Sequence, residues 1–178
     1  MNIEKKILST WSYSKKVLSK ITYPKNINEL KEAIIYAKEN NLKVIPMGNG
    51  NSYGDLFINN DGLVVSNNKL NKIINIDEKK NIITVEAGVK LSDLNIFVLK
   101  KKMKMFSLPS YLNITVGGAI SNNVHGQDSG HYNEEMFEIG YFNDQVLGLK
   151  YIDANANIKY LNREKNKDEF ENFIGSVG

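Results

Sequence analysis

The stretch from Leu42 to Ser66 limits the fold more than any other part of the chain. Leu42-Lys43-Val44-Ile45 is a short apolar run that reads as a strand ending at Pro46. It is followed by Pro-Met-Gly-Asn-Gly-Asn-Ser-Tyr-Gly-Asp, residues 46–55, and then by a second short strand at Leu63–Ser66. Glycines at 48, 50 and 54 let the backbone turn sharply, and such a loop can aim successive N–H groups at an anion. No Lys or Arg occurs from Pro46 to Ser66, so an anion here would be held by backbone and hydroxyl donors. That chemistry suits a nucleotide-type ligand. A glycine-rich surface turn that binds nothing has the same sequence signature.

Two familiar phosphate loops are excluded. A Walker loop ends in Gly-Lys-Ser/Thr, whereas these glycines run into Asp55, whose carboxylate would repel phosphate. The Rossmann fingerprint spaces its glycines differently and opens a long helix. Leu56–Gly62 is a poor helix.

The surrounding pattern predicts a mixed fold. Leu30, Ala33, Ile34 and Ala37 repeat at helical spacing and predict a helix over Asn28–Asn40. Lys72–Asp77 and Asn81–Glu86, rich in β-branched residues, predict a hairpin turning on Glu78-Lys79-Lys80. After Gly88, Ser92 is expected to cap a helix whose Leu94, Phe97, Val98 and Lys101 share a face. A second hairpin is expected at Val146–Asp153 and Asn157–Leu161, and a helix start at Asp168–Phe173. The expected fold class is α+β. A small α/β lobe (about residues 1–67) is followed by a mostly antiparallel α+β lobe (about 68–178).

Composition narrows the function. The 178 residues contain no cysteine, which fits a reducing compartment, and the expected location is cytoplasmic. No apolar run approaches membrane-spanning length. The net charge is +3, with lysines gathered at 100, 101, 102 and 104. The solvated end of a helix accounts for them; nucleic acid would want a broader basic face with aromatics interleaved. With two histidines and scattered carboxylates, no metal site is expected.

The other outlier is Thr115-Val-Gly-Gly-Ala-Ile-Ser-Asn-Asn-Val-His-Gly126. Adjacent glycines before small residues suit a helix start whose backbone something approaches. They equally suit close helix packing. Taken in order, the strand, Gly-x-Gly-x-Ser-Tyr-Gly-Asp, the hairpin ending Glu86-Ala87-Gly88, Leu108-Pro109 and Gly-Gly-Ala-Ile-x-x-x-x-His-Gly form a specific series. From about Trp11 to Gly178 it resembles the FAD-binding domain of the p-cresol methylhydroxylase and vanillyl-alcohol oxidase superfamily. Within that superfamily it is most similar to the aldonolactone oxidase and decaprenylphosphoryl-ribose oxidase branch.

The resemblance implies a p-cresol-methylhydroxylase-type FAD fold, C-terminally incomplete, with the substrate domain absent. It places Gly48, Asn49, Gly50, Asn51 and Ser52 on the FAD pyrophosphate and Tyr53 near the flavin or its ribityl chain. It places Ser110, Thr115, Gly117, Gly118, Asn122, Asn123, His125 and Gly126 along the flavin side. Main-chain donors from both glycine segments are expected to converge on the diphosphate. Relatives with covalent FAD carry a histidine where this chain has Asn51, so the resemblance implies non-covalent FAD. His125 is the candidate catalytic group at the flavin edge; a buried histidine satisfied by a carbonyl is the alternative. His131 is expected at the surface, and the acidic stretch around Glu134 and Glu135 is expected to be a solvated loop or a lid.

The implied activity is oxidation of a sugar, polyol or lactone C–OH by hydride transfer to FAD, on a small-molecule or lipid-linked sugar. Activity would require the missing half or a partner chain. A 2-hydroxy-acid dehydrogenase of the same superfamily, or a non-catalytic nucleotide-binding or assembly module, are the alternatives.

Overall fold

The computed structural model describes residues 1–132 and 137–176, and for 127–139 no side chains. The acidic pair Glu134–Glu135 and the side chain of His131 therefore lie outside the described residues. The architecture is α+β. A four-stranded sheet is built from β1 (Ile3–Ser9), β2 (Lys16–Thr22), β3 (Val44–Met47) and β4 (Leu63–Ser66) in the order β1-β2-β4-β3. β1 and β2 form an antiparallel hairpin, while β2 and β3 both run parallel to β4.

β4 is central, and all of its residues are buried. Leu63 and Val65 face helix α1 (Ile27–Glu39) and pack on Ala33 and Ala37. Val64 faces the other way, into Leu8, Ile21, Met47, Phe57 and Ile58. A strand covered on both faces loses the polar alternation of a half-exposed one, hence the unbroken Leu-Val-Val. α1 starts where Asn26 accepts the N–H groups of Asn28 and Glu29, a side-chain cap on otherwise orphaned donors.

Three antiparallel hairpins follow. They are β5 (Ile73–Asp77) with β6 (Ile82–Val85), β7 (His125–Tyr132) with β8 (Phe137–Tyr141), and β9 (Gly148–Ile152) with β10 (Ile158–Asn162). Helix α2 (Leu91–Lys100) and the short α3 (Val116–Ser121) share a core of Leu91, Leu94, Val98, Val116 and Ala119, closed by Phe142. Helix α4 (Lys167–Phe173) packs Phe170 against Leu161 of β10.

Two expectations are corrected. β3 does not stop at Pro46 but runs through it, with Pro46 opposite Val65. β3 is an edge strand, where a missing N–H costs the ladder nothing. Ser92 does not cap α2, which starts at Leu91. The N–H groups of Leu91 and Ser92 instead donate to the carbonyls of Ile114 and Leu112 (2.9 and 3.0 Å), so that end is satisfied by main chain. The residues that flank the acidic stretch pair as β7 and β8.

Candidate FAD-binding site

The two glycine segments meet. A Cβ on Gly48 would lie 2.5 Å from Oγ1 of Thr115, so only glycine permits this approach. Gly50 has φ of +70°, a left-handed conformation that glycine adopts without penalty, and it rests over the buried ring of Phe57. The loop is also tied to the segment that precedes α3. Asn49 and Asn51 both donate their side-chain amides to the carbonyl of Asn113, and Asn113 in turn donates to the hydroxyl of Tyr111 (3.2 Å).

The main-chain donors of the two segments differ. Among the described residues, none of the N–H groups from Gly48 to Ser52 makes a turn, cap or loop hydrogen bond. In the second segment Val116 N–H donates to Val89 (2.8 Å) and Gly117 N–H to Ala87 (2.8 Å). Gly118 N–H donates to Oγ1 of Thr115 (3.2 Å). Donors from both segments were expected to converge on an anion. Only the first segment has them to offer; the second forms a wall whose amides are committed.

The remaining candidates sort by environment. Thr115 is buried, capping α3 and abutting Gly48. Ser110 is exposed, as is Tyr53. Asn122 donates back to the carbonyl of Gly118 (2.9 Å). Asn123, at φ of 42°, accepts the N–H of Asn143 (3.2 Å), which gives it a structural task. Gly126 is buried. His125 is exposed, its ring edge-on to Tyr141 at 5.5 Å, which excludes a buried structural histidine. Lys100, Lys101, Lys102 and Lys104 are all exposed at the end of α2, as a solvated helix terminus would be.

Sequence reasoning missed the cation that meets Asp55. The β1–β2 turn brings Lys15 to 2.6 Å from the Asp55 carboxylate. The hydrogen bond and charge of Lys15 hold the Asp55 carboxyl below the usual carboxylate range. The carboxylate beside the loop thus has its own counter-charge. It also missed Asn113, which acts through a backbone carbonyl that leaves no mark in a sequence.

The unpaired N–H groups of residues 48–52, with the hydroxyl of Ser52 beside them, fit a phosphate-type anion. Hydrogen bonds to a charged group contribute ~1.5–3 kcal/mol each, so several converging amides outweigh any helix-end dipole. Among the described residues no cluster of metal-ligating side chains is present, and no helix is long and apolar enough to cross a membrane.

L-gulonolactone oxidase from Mus musculus is 28% identical over 148 residues, covering 83% of this chain and 32% of that protein. Decaprenylphosphoryl-beta-D-ribose oxidase from Mycolicibacterium smegmatis is 34% identical over 125 residues, covering 70% and 26%. The chain thus spans about a third or less of the length of these relatives. A xylooligosaccharide oxidase from Myceliophthora thermophila superposes with a TM-score of 0.81 at 20% identity, over 94% of this chain and 34% of that one, and so shares the fold. A family model described as an FAD binding domain matches residues 19–162, taking in both glycine segments. The chain belongs to that FAD-binding domain family.

Proposed function

We propose that this chain is the FAD-binding portion of an oxidoreductase that oxidises a C–OH group of a sugar, polyol or sugar lactone. Residues 1–67 and 68–178 form its two lobes. The relatives named for gulonolactone and phosphoryl-ribose oxidation support the substrate class. The observation that carries the reading is the row of unengaged amides at 48–52, held against Thr115 in a chain of this family.

In this reading Gly48, Asn49, Gly50, Asn51 and Ser52 receive the FAD diphosphate through main-chain N–H groups. Thr115, Gly117 and Gly118 form the packed wall behind it, and Ser110, Tyr53, Asn122, Asn123 and Gly126 border the flavin side. When bound, FAD supplies the hydride acceptor. His125 stands at the exposed edge and serves as a hydrogen-bonding or proton-handling group there. Tyr141, edge-on at 5.5 Å, fixes the plane of its ring. Lys15 keeps the charge of Asp55 from opposing the diphosphate. Asn51 ties the loop to Asn113 and has no nucleophilic ring nitrogen, so FAD is held without a covalent bond. A cytoplasmic location, suggested by the cysteine-free composition, and a dependence on further chain or a partner for turnover belong to the same proposal.

The test is a flavin titration of the purified chain, followed by acid precipitation. Expected is saturable binding with a flavin spectrum and release of all flavin to the supernatant. Flavin retained in the pellet overturns the non-covalent assignment. A chain that takes up no FAD overturns the reading of the loop.

A further inference from the structure

The β1–β2 turn lies before the stretch matched by the family model, yet it touches the glycine loop at three points. Trp11 N–H donates to the carbonyl of Ser52 (3.1 Å), and Ser12 Oγ donates to the carbonyl of Tyr53 (2.8 Å). Lys15 then pairs with Asp55.

The turn is itself tightly built. Thr10 is only 2% exposed and sits at its hub. Thr10 N–H donates to the Lys15 carbonyl (3.1 Å), its carbonyl accepts Tyr13 N–H (3.0 Å), and its Oγ1 accepts Lys15 N–H (3.3 Å). The hydroxyls of Ser12 and Ser14 are 2.8 Å apart and both lie within 3.3 Å of Thr10 Oγ1. Tyr13 takes φ of 57° to close the turn.

The direction of these bonds matters. In each case the turn donates and the loop accepts. In a trans peptide the C=O and N–H point to opposite sides. Drawing the Ser52 and Tyr53 carbonyls toward the turn therefore turns the N–H groups of Tyr53 and Gly54, which continue the 48–52 row, away from it. Among the described residues neither of those amides makes a turn, cap or loop bond. On the other flank the loop is held by Asn113, whose side chain reaches the Tyr111 hydroxyl, and the Tyr111 ring packs on Trp11 at 5.6 Å. The two flanks are thus joined through a Trp11–Tyr111 contact.

We propose that the β1–β2 turn is a knuckle that preorganises the diphosphate loop, with Trp11 and Ser12 as positioning residues. Ordering the loop in advance removes part of the entropic cost of binding. The proposal rests on the reading of residues 48–52 as the diphosphate cradle.

The test uses the full chain, with backbone relaxation of residues 48–55 measured without FAD and flavin titration measured separately. The amides of β4 serve as the internal control. In Ser12→Ala and Trp11→Ala, order parameters in the loop are expected to fall from about 0.85 toward 0.6 or below, with β4 unchanged. FAD affinity is expected to fall about fivefold to tenfold, in Ser12→Ala through the lost hydroxyl bond to Tyr53 and in Trp11→Ala through the lost packing on Tyr111. Ser12→Thr and Trp11→Phe, which keep the hydroxyl and the ring, are expected to restore both. An unchanged loop in a chain that binds FAD overturns the proposal alone, as does a looser loop with unchanged affinity. A wild-type chain that takes up no FAD overturns the diphosphate reading and the proposal together.

Discussion

The two glycine segments look alike in sequence and behave differently in space. Gly48–Ser52 keeps its amides open and fastens itself through side chains, by Asn49 and Asn51 to Asn113. Val116–Gly118 commits its amides to Val89, Ala87 and Thr115, and Gly117 lies where an added Cβ would come within 3.0 Å of Ala87. Glycine allows close packing in both, at Gly48 on Thr115 and at Gly117 on Ala87, but only the first segment leaves its donors open. Glycine content alone therefore does not mark a ligand loop; the destination of the N–H groups does.

The most disruptive way to probe this contrast is Gly48→Val. Its side chain collides with Thr115, and overpacking costs ~1–3 kcal/mol. FAD affinity is expected to fall by about tenfold or more, read by flavin titration. In the pair Gly48→Ala and Thr115→Ala the double variant should lose less than the sum of the singles, since the residues touch. Strict additivity would separate the segments.

Thr115→Val comes next. It removes the α3 cap and should lower stability by ~0.5–2 kcal/mol in a thermal melt, with little change in FAD affinity. A loss of affinity at constant stability would make the second segment a donor and abolish the contrast. Asn51→Ala removes one of the two amides on Asn113 and should cost ~0.5–1.5 kcal/mol, seen as weaker FAD binding rather than a lower melting point.

The smallest effect concerns Asp55. Its carboxyl is held below the usual range by Lys15, so the ion pair contributes above the ordinary carboxylate pKa and is lost as pH falls through the lowered value. Both side chains are more than half exposed, so Asp55→Asn should shift the melt only slightly at neutral pH. Wild type and variant should converge in acid. A difference that grows on acidification would contradict this sign.

Much of the fold was legible because periodicity survives in it. Leu30, Ala33, Ile34 and Ala37 announced α1, and the β-branched arms around Asp77 and Asn81 announced the β5–β6 hairpin. The N-terminal hairpin was not foreseen. Lys5, Lys6, Lys16 and Lys20 interrupt its apolar alternation, and burial in β2 is confined to Ser19, Ile21 and Thr22. In the site, the glycines and their neighbours were visible as a motif. The fastening was not: the acceptors are the carbonyls of Ser52, Tyr53 and Asn113, which every residue type carries. The pairing of the second segment's amides was hidden for the same reason.

Pro46 has a consequence beyond the strand it sits in. Among the described residues the sheet has two margins, β3 on one side and β1 on the other. On the β3 margin Pro46 offers no N–H to an incoming strand, and on the β1 margin Lys5 and Lys6 place charge along the rim. Both devices discourage another chain from extending the sheet at these edges, while the glycine loop stays open for a ligand.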